Sequence, residues 1–233
     1  MELSQRNLAR IIGISLFVMA VITGVGYCYA FSGFYIANDT ISTIKNLNQD
    51  GNLLKLTIFA FSINLILNIV ITWASYEFFK SFNNPFSSLV ALFRLVYSAI
   101  LCGSIFYLLS VLELLQNAST DGEMIMFYLK LFLKTGSWGL IIFGCHLFLL
   151  GIMICKSRVI PRVVGYFTAF AGLCYFFVNT GSLFIPSYQI YKELIENILA
   201  IPMALGELIL ANWLIRFKLS YKTTFLAKSS DKR

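Results

Sequence analysis

Apolar residues in this chain come in six long, continuous runs separated by short polar breaks. They lie near Ile11–Phe34, Leu56–Phe79, Ser88–Leu115, Trp138–Cys155, Ile160–Ile185 and Leu194–Phe217. A helix crosses the hydrocarbon core of a bilayer with about 20 mostly apolar residues, and these runs are of that order. Inside lipid every backbone N–H and C=O must pair within the protein, so a spanning segment is a helix or part of a closed barrel. Barrel strands alternate polar and apolar over about 10 residues; these runs do not alternate and are mostly twice as long. The pattern predicts an all-α polytopic membrane protein, a bundle of six transmembrane helices. It fills residues 1–233 as one domain, with a basic tail over 218–233.

The breaks sharpen the picture. Ala37–Asn52 is polar and reads as the first outer loop, and Asn83-Asn84-Pro85 is a turn signature between the second and third spans. Met124–Thr135 is apolar except for Lys130 and Lys134, one helical turn apart. Two readings fit it: an interfacial helix lying on the membrane, or an extension of the fourth span. Pro161 suits the first turn of the fifth helix, and Pro186 would stop that helix. Gly144 and Gly151 share a face of the fourth helix, as Gly165, Ala169 and Gly172 do in the fifth. Small residues at this spacing let helix backbones approach closely in lipid. Trp138 and Trp213 suit interfacial belts.

Composition agrees with a membrane class: 58% of residues are hydrophobic and only 12% charged, against roughly 45–50% and about 25% in soluble domains. The net charge of +7 would suggest nucleic acid if it were clustered, but its distribution points to topology instead. With six spans the termini share a side. That side carries Arg6, Arg10, Lys80, Lys156, Arg158, Arg162, Arg216, Lys218, Lys222, Lys228, Lys232 and Arg233, against Lys45, Lys55, Lys130, Lys134 and Lys192 opposite. Twelve against five is a positive-inside bias, which places both termini in the cytoplasm. The basic tail after Arg216 suits anionic lipid, at roughly 1 kcal/mol per residue near the surface. The first apolar run exceeds the about 7–15 residues of a signal-peptide core, so it reads as an uncleaved helix.

Cys28, Cys102, Cys145, Cys155 and Cys174 all fall within spans and include no CxxC pair; they read as small apolar packing residues. Two sequons, Asn38-Asp39-Thr40 and Asn117-Ala118-Ser119, fall on the expected outer face and matter only where a host glycosylates. A catalytic zinc site takes about three protein ligands, and this chain has one histidine. Zinc and bis-histidine haem are therefore excluded, and the sequence implies no cofactor and no metal.

Ionisable residues at depth carry the remaining signal, because a central Arg, Lys or Asp costs about 2.5–3.5 kcal/mol on insertion scales. At about 1.5 Å of rise per residue, Arg94 lies roughly 10–12 Å into the third helix, His146 about 13 Å into the fourth and Glu207 about 13–15 Å into the sixth, measured from one surface. Three helices thus bring Arg94, His146 and Glu207 to one level. In the second helix Thr57, Asn64, Asn68 and Thr72 form one stripe, with Asn68 only slightly deeper than the trio. Tyr97 and Ser98 follow Arg94 at i+3 and i+4, and Pro202 weakens the sixth helix five residues before Glu207. Two expectations compete. Arg94 and Glu207 pair as a structural ion pair with His146 and Asn68 satisfying the leftover donors, or Arg94, His146, Glu207, Asn68 and Tyr97 form a ligand site. Near the span ends, Glu77 is placed to neutralise Lys80.

Phe93-Arg94-Leu95-Val96, Gly144-Cys145-His146-Leu147-Phe148-Leu149-Leu150-Gly151 and Ile160-Pro161-Arg162-Val163-Val164-Gly165 carry a family resemblance. With Gly172 to Tyr175, Pro202 and Gly206-Glu207, the chain resembles the bacterial membrane family named domain of unknown function 4386 across essentially all six helices. The resemblance implies a six-helix architecture in a bacterial inner membrane, with no established activity. It matches at Arg94, His146 and Glu207, with Pro161 added. The segment Glu77-Phe78-Phe79-Lys80 departs from the basic, proline-containing connection of that group.

The functional expectation is a non-enzymatic membrane protein that binds, senses or moves a small amphiphilic or anionic ligand. Arg94 would grip the anionic group, Glu207 would balance charge and His146 would donate or relay a proton. An intramembrane enzyme acting on a lipid or quinone, and a structural membrane subunit, are the alternatives. The expected partners are the bilayer and a small amphiphile, not nucleic acid.

Overall fold

The computed structural model describes residues 4–116, 121–157 and 159–217. Among them no strand occurs, and seven helices follow in order: α1 (Gln5–Phe34), α2 (Thr40–Gln49), α3 (Gly51–Phe79), α4 (Asn84–Gln116), α5 (Gly122–Ser157), α6 (Arg162–Phe184) and α7 (Tyr188–Ile215). All but α2 contain a stretch long and apolar enough to span a membrane. The chain is therefore a multi-pass membrane protein. The sequon at Asn117 and the basic tail over 218–233 lie outside the described residues.

The six long helices form a ring in chain order, each packed antiparallel on the one before, with α7 closing against α1. Small residues set the closest approaches. Gly144 of α5 faces Gly172 and Phe176 of α6, while Gly151 faces Gly165 and Ala169, so the small-residue stripes expected from the sequence meet one another. The ring closes where Gly13 of α1 lies against the carbonyl of Ala211 and the side chain of Ile215. The helix that begins the chain therefore runs beside the end of the last one, at what is here called the terminal face.

Several boundaries differ from those expected. Met124–Thr135 is part of α5, which is continuous from Gly122. Its 36 residues make a rod of about 54 Å, well beyond the roughly 30 Å hydrocarbon core. Its first third packs Ile125, Leu129 and Phe132 against Phe34, Leu47, Leu54 and Leu108, leaving Lys130 and Lys134 on the exposed side. Burial of one face is what holds it helical. α1 starts at Gln5, where the Ser4 hydroxyl caps the Asn7 amide, and passes through a π-helical stretch over Gly24–Phe31. α7 begins at Tyr188, six residues before the expected span. Pro161 sits just before α6 with extended ψ, so it delivers the chain to the helix rather than occupying its first turn.

The loop after α1 contains a helix that the polar composition concealed. Asn38 takes the left-handed conformation (φ 59°), which asparagine tolerates better than most residues. Asp39 then caps α2 by accepting from the Ser42 amide at 2.9 Å and the Ser42 hydroxyl at 2.7 Å. These two bonds, the amide first, hold its carboxyl below the usual value. The cap is therefore fully present above the ordinary carboxylate range and is lost only as pH falls through the lowered value. Thr43 and Leu47 turn inward, and the Thr43 hydroxyl exchanges hydrogen bonds with the Ile36 backbone. At the opposite end Glu77 pairs with Lys80 at 2.6 Å, as expected, but both are substantially exposed. Such a pair contributes about 1 kcal/mol at most.

Candidate functional site

At the level of Arg94, His146 and Glu207, each of the six long helices contributes one or more side chains to a girdle. Arg94 of α4 is its centre, buried to 1% exposure. Its Nε donates to Asn68 Oδ1 of α3 at 3.0 Å, its Nη1 to His146 Nε2 of α5 at 3.2 Å, and its Nη2 approaches Met19 Sδ of α1 at 3.8 Å. The guanidinium also lies 5.4 Å from the centroid of the Phe143 ring. Phe143 packs edge-to-face on Tyr175 of α6 at 5.3 Å. The Tyr175 hydroxyl donates to Glu207 Oε1 of α7 at 3.1 Å.

The antiparallel register explains why these residues meet. Along α1 and α3, Gly26 faces Thr57 and Ala60, Thr23 faces Asn64, and Met19 faces Asn68, so the polar stripe of α3 lies against α1. On this stripe Thr57 and Thr72 return their hydroxyls to carbonyls one turn back, as Ser98 does on α4. That self-satisfaction lets a hydroxyl sit in an apolar helix without a distant partner. Asn68 differs, since its Nδ2 bonds the Asn64 carbonyl while its Oδ1 is spent on Arg94.

His146 is locked at both nitrogens. Nδ1 lies 2.9 Å from the Val90 carbonyl, which can only accept, so Nδ1 carries the hydrogen. Arginine can only donate, so Nε2 must present its lone pair. The ring is thus a neutral Nδ1–H imidazole. Both ring nitrogens are therefore engaged, Nδ1–H with the Val90 carbonyl and the Nε2 lone pair with Arg94. Because His146 is the sole histidine, its imidazole 15N signals in untagged protein need no assignment. A protonated Nδ1 and bare Nε2 at pH 7 are expected; the opposite tautomer would contradict this geometry. Replacing His146 by leucine would orphan an Arg94 N–H, at about 1–3 kcal/mol, while the Val90 carbonyl keeps its partner within the helix. Glutamine, which can still accept from Arg94, should cost less in an unfolding assay.

The expected Arg94–Glu207 ion pair does not form: no contact within 4 Å joins the two. Instead both line a small cavity with Ser75, beside apolar walls from Ile12 and Leu16 of α1 and Leu210 and Leu214 of α7. The cavity offers about 10 Å³ to the centre of a water-sized sphere, room for about one water. The Glu207 Oε2 and the buried Ser75 hydroxyl make no hydrogen bond among the described residues. The guanidinium carries five N–H donors, of which the contacts above use three, so two remain.

Arg94, His146 and Asn68 are thus in direct contact, and Glu207 faces them across the cavity. Tyr97 stands to one side, its ring 4.8 Å from Phe143, and does not line the cavity. Met19, Phe143, Tyr175 and Ser75 are the members that sequence reasoning did not select. None carries a signal of its own, because a methionine, two aromatics and a serine are ordinary in apolar helices.

The match to a family model runs over residues 11–217 and is to Domain of unknown function (DUF4386). The chain belongs to this family. The match covers all six long helices and the whole girdle, as the resemblance implied. The chain is also similar to an uncharacterized protein of Archaeoglobus fulgidus, 28% identical over 151 residues, covering 65% of this chain and 76% of that one. No solved structure matches the chain.

Proposed function

We propose that the girdle is a binding site for the anionic group of a small amphiphile, and that the protein binds, senses or moves this ligand across or within the bilayer. The single observation behind this reading is Arg94: a buried cation whose direct partners are all neutral, with N–H donors unspent beside a cavity. Buried charges ordinarily carry a contacting counter-charge or bound ligand. Two charge-assisted hydrogen bonds to a carboxylate, phosphate or sulfonate would complete its set. The walls of Ile12, Leu16, Leu210 and Leu214 are suited to an alkyl portion. In the closed form the space takes one water, so ligand entry requires α7 to move away from α1. Pro202 inside α7 lacks an N–H and loosens that helix at the turn above Glu207. We place the protein in the plasma membrane with both termini cytoplasmic, on the twelve-to-five asymmetry of its basic residues.

The test is equilibrium binding of decanesulfonate and methanesulfonate to the full chain in lipid nanodiscs. The wild type should bind decanesulfonate saturably at one site and methanesulfonate far more weakly, since each buried CH2 contributes about 0.8 kcal/mol. Arg94→Gln should weaken decanesulfonate at least about 100-fold, from two lost bonds to a charged group at about 1.5–3 kcal/mol each. Equal binding by wild type and variant would sink the reading and leave the girdle a purely structural network.

A further inference from the structure

We infer that anion binding at the girdle is coupled to uptake of one proton by Glu207. This inference rests on the ligand reading above and names how the site is regulated. In the closed form the charges balance across the cavity. Arg94 is cationic, its contacts Asn68, His146 and Met19 are neutral, and among the described residues Glu207 is the only carboxylate lining the space. An anion that settles against Arg94 while Glu207 stays ionised leaves a net negative charge walled in by apolar side chains, a costly arrangement. The nearest remedy is a proton on Glu207.

The neighbours of Glu207 offer no competing remedy. α6 brings Tyr175, which already donates to Oε1 at 3.1 Å. α4 brings Arg94, with the neutral phenol of Tyr97 nearby but off the cavity, and α1 brings only the aliphatic Ile12 and Leu16. His146 on α5 has both nitrogens committed. The step balances simply: the Glu207 carboxylate takes one solvent proton to become a carboxyl, and no other bond or charge changes. The carboxyl keeps accepting from Tyr175 at Oε1 and gains an O–H on the side that faces the anion. Anion and proton therefore enter or leave together, which makes the site a proton-coupled one.

The experiment titrates the full chain in nanodiscs with decanesulfonate, whose own charge is constant, between pH 5.5 and 8.0. Wild-type apparent Kd should rise about tenfold per pH unit in the range where unliganded Glu207 is ionised. Glu207→Gln should hold the tight, low-pH affinity across the whole range. In weakly buffered solution at pH 7.5, one proton should disappear from solvent per anion bound to the wild type; this measurement decides the matter if the variant folds poorly. Saturable wild-type binding with a flat pH profile and no proton uptake overturns the coupling but leaves the anion site standing. A slope that persists in a folded Glu207→Gln overturns Glu207 as the carrier. No saturable binding at any pH overturns the ligand reading, and the coupling falls with it.

Discussion

Replacing Arg94 by methionine is expected to destabilise the protein by about 2–6 kcal/mol, because two buried acceptors lose their donor at about 1–3 kcal/mol each. Those acceptors are Asn68 Oδ1 and His146 Nε2, and the Glu207 carboxylate across the cavity loses the charge that faces it. Methionine keeps much of the volume, so packing loss is a minor part of the effect. A second substitution separates charge from hydrogen bonding. If Glu207 is balanced by Arg94, then Arg94→Met with Glu207→Gln should recover part of the loss, and the double-mutant cycle reads the coupling directly. Reversible unfolding in mixed micelles is the measurement. An Arg94→Met protein as stable as wild type would mean that the buried guanidinium contributes nothing to the fold.

The second large effect is expected at the seam between α5 and α6. A Cβ on Gly151 would stand 2.5 Å from the Ala169 amide nitrogen and 2.6 Å from the Gly165 carbonyl oxygen. Both are backbone atoms, so no rotamer change relieves the clash and the helices must separate. Overpacking ordinarily costs about 1–3 kcal/mol, and Gly151→Leu should lie at or above the top of that range, because separation also opens the Gly144–Gly172 contact. Gly136 and Gly103, with nothing within 4 Å of an added Cβ, are the matched controls. Alanine there should be neutral or stabilising by about 0.5–1 kcal/mol, since glycine is a poor helix former. A Gly151→Leu variant that unfolds with the Gly136→Ala control would remove backbone proximity as the determinant of this interface.

The length and continuity of six apolar runs were enough to establish the class, the number of spans and the antiparallel alternation. Lipid admits few other ways to satisfy the backbone. The rise of a helix is constant, so residue counting also brought Arg94, His146, Asn68 and Glu207 to a common depth before any packing was known. Helix ends were less legible. The first third of α5 and the whole of α2 are held by burial of one face against other helices, and that stabilisation is not local.

Rotation about each helix axis was the quantity that tertiary structure alone decided. These helices are apolar nearly all round, so hydropathy does not say which side faces the ring. That rotation turns Glu207 toward Tyr175 and away from direct contact with Arg94, and it recruits Met19 and Phe143 to the guanidinium. It also presses Nδ1 of His146 onto the Val90 carbonyl, which assigns the imidazole an accepting role toward Arg94 that no spacing could reveal. Depth follows from arithmetic along one chain segment. Partnership depends on the fit between segments, and here that fit is governed by where Gly13, Gly144 and Gly151 allow the backbones to come close.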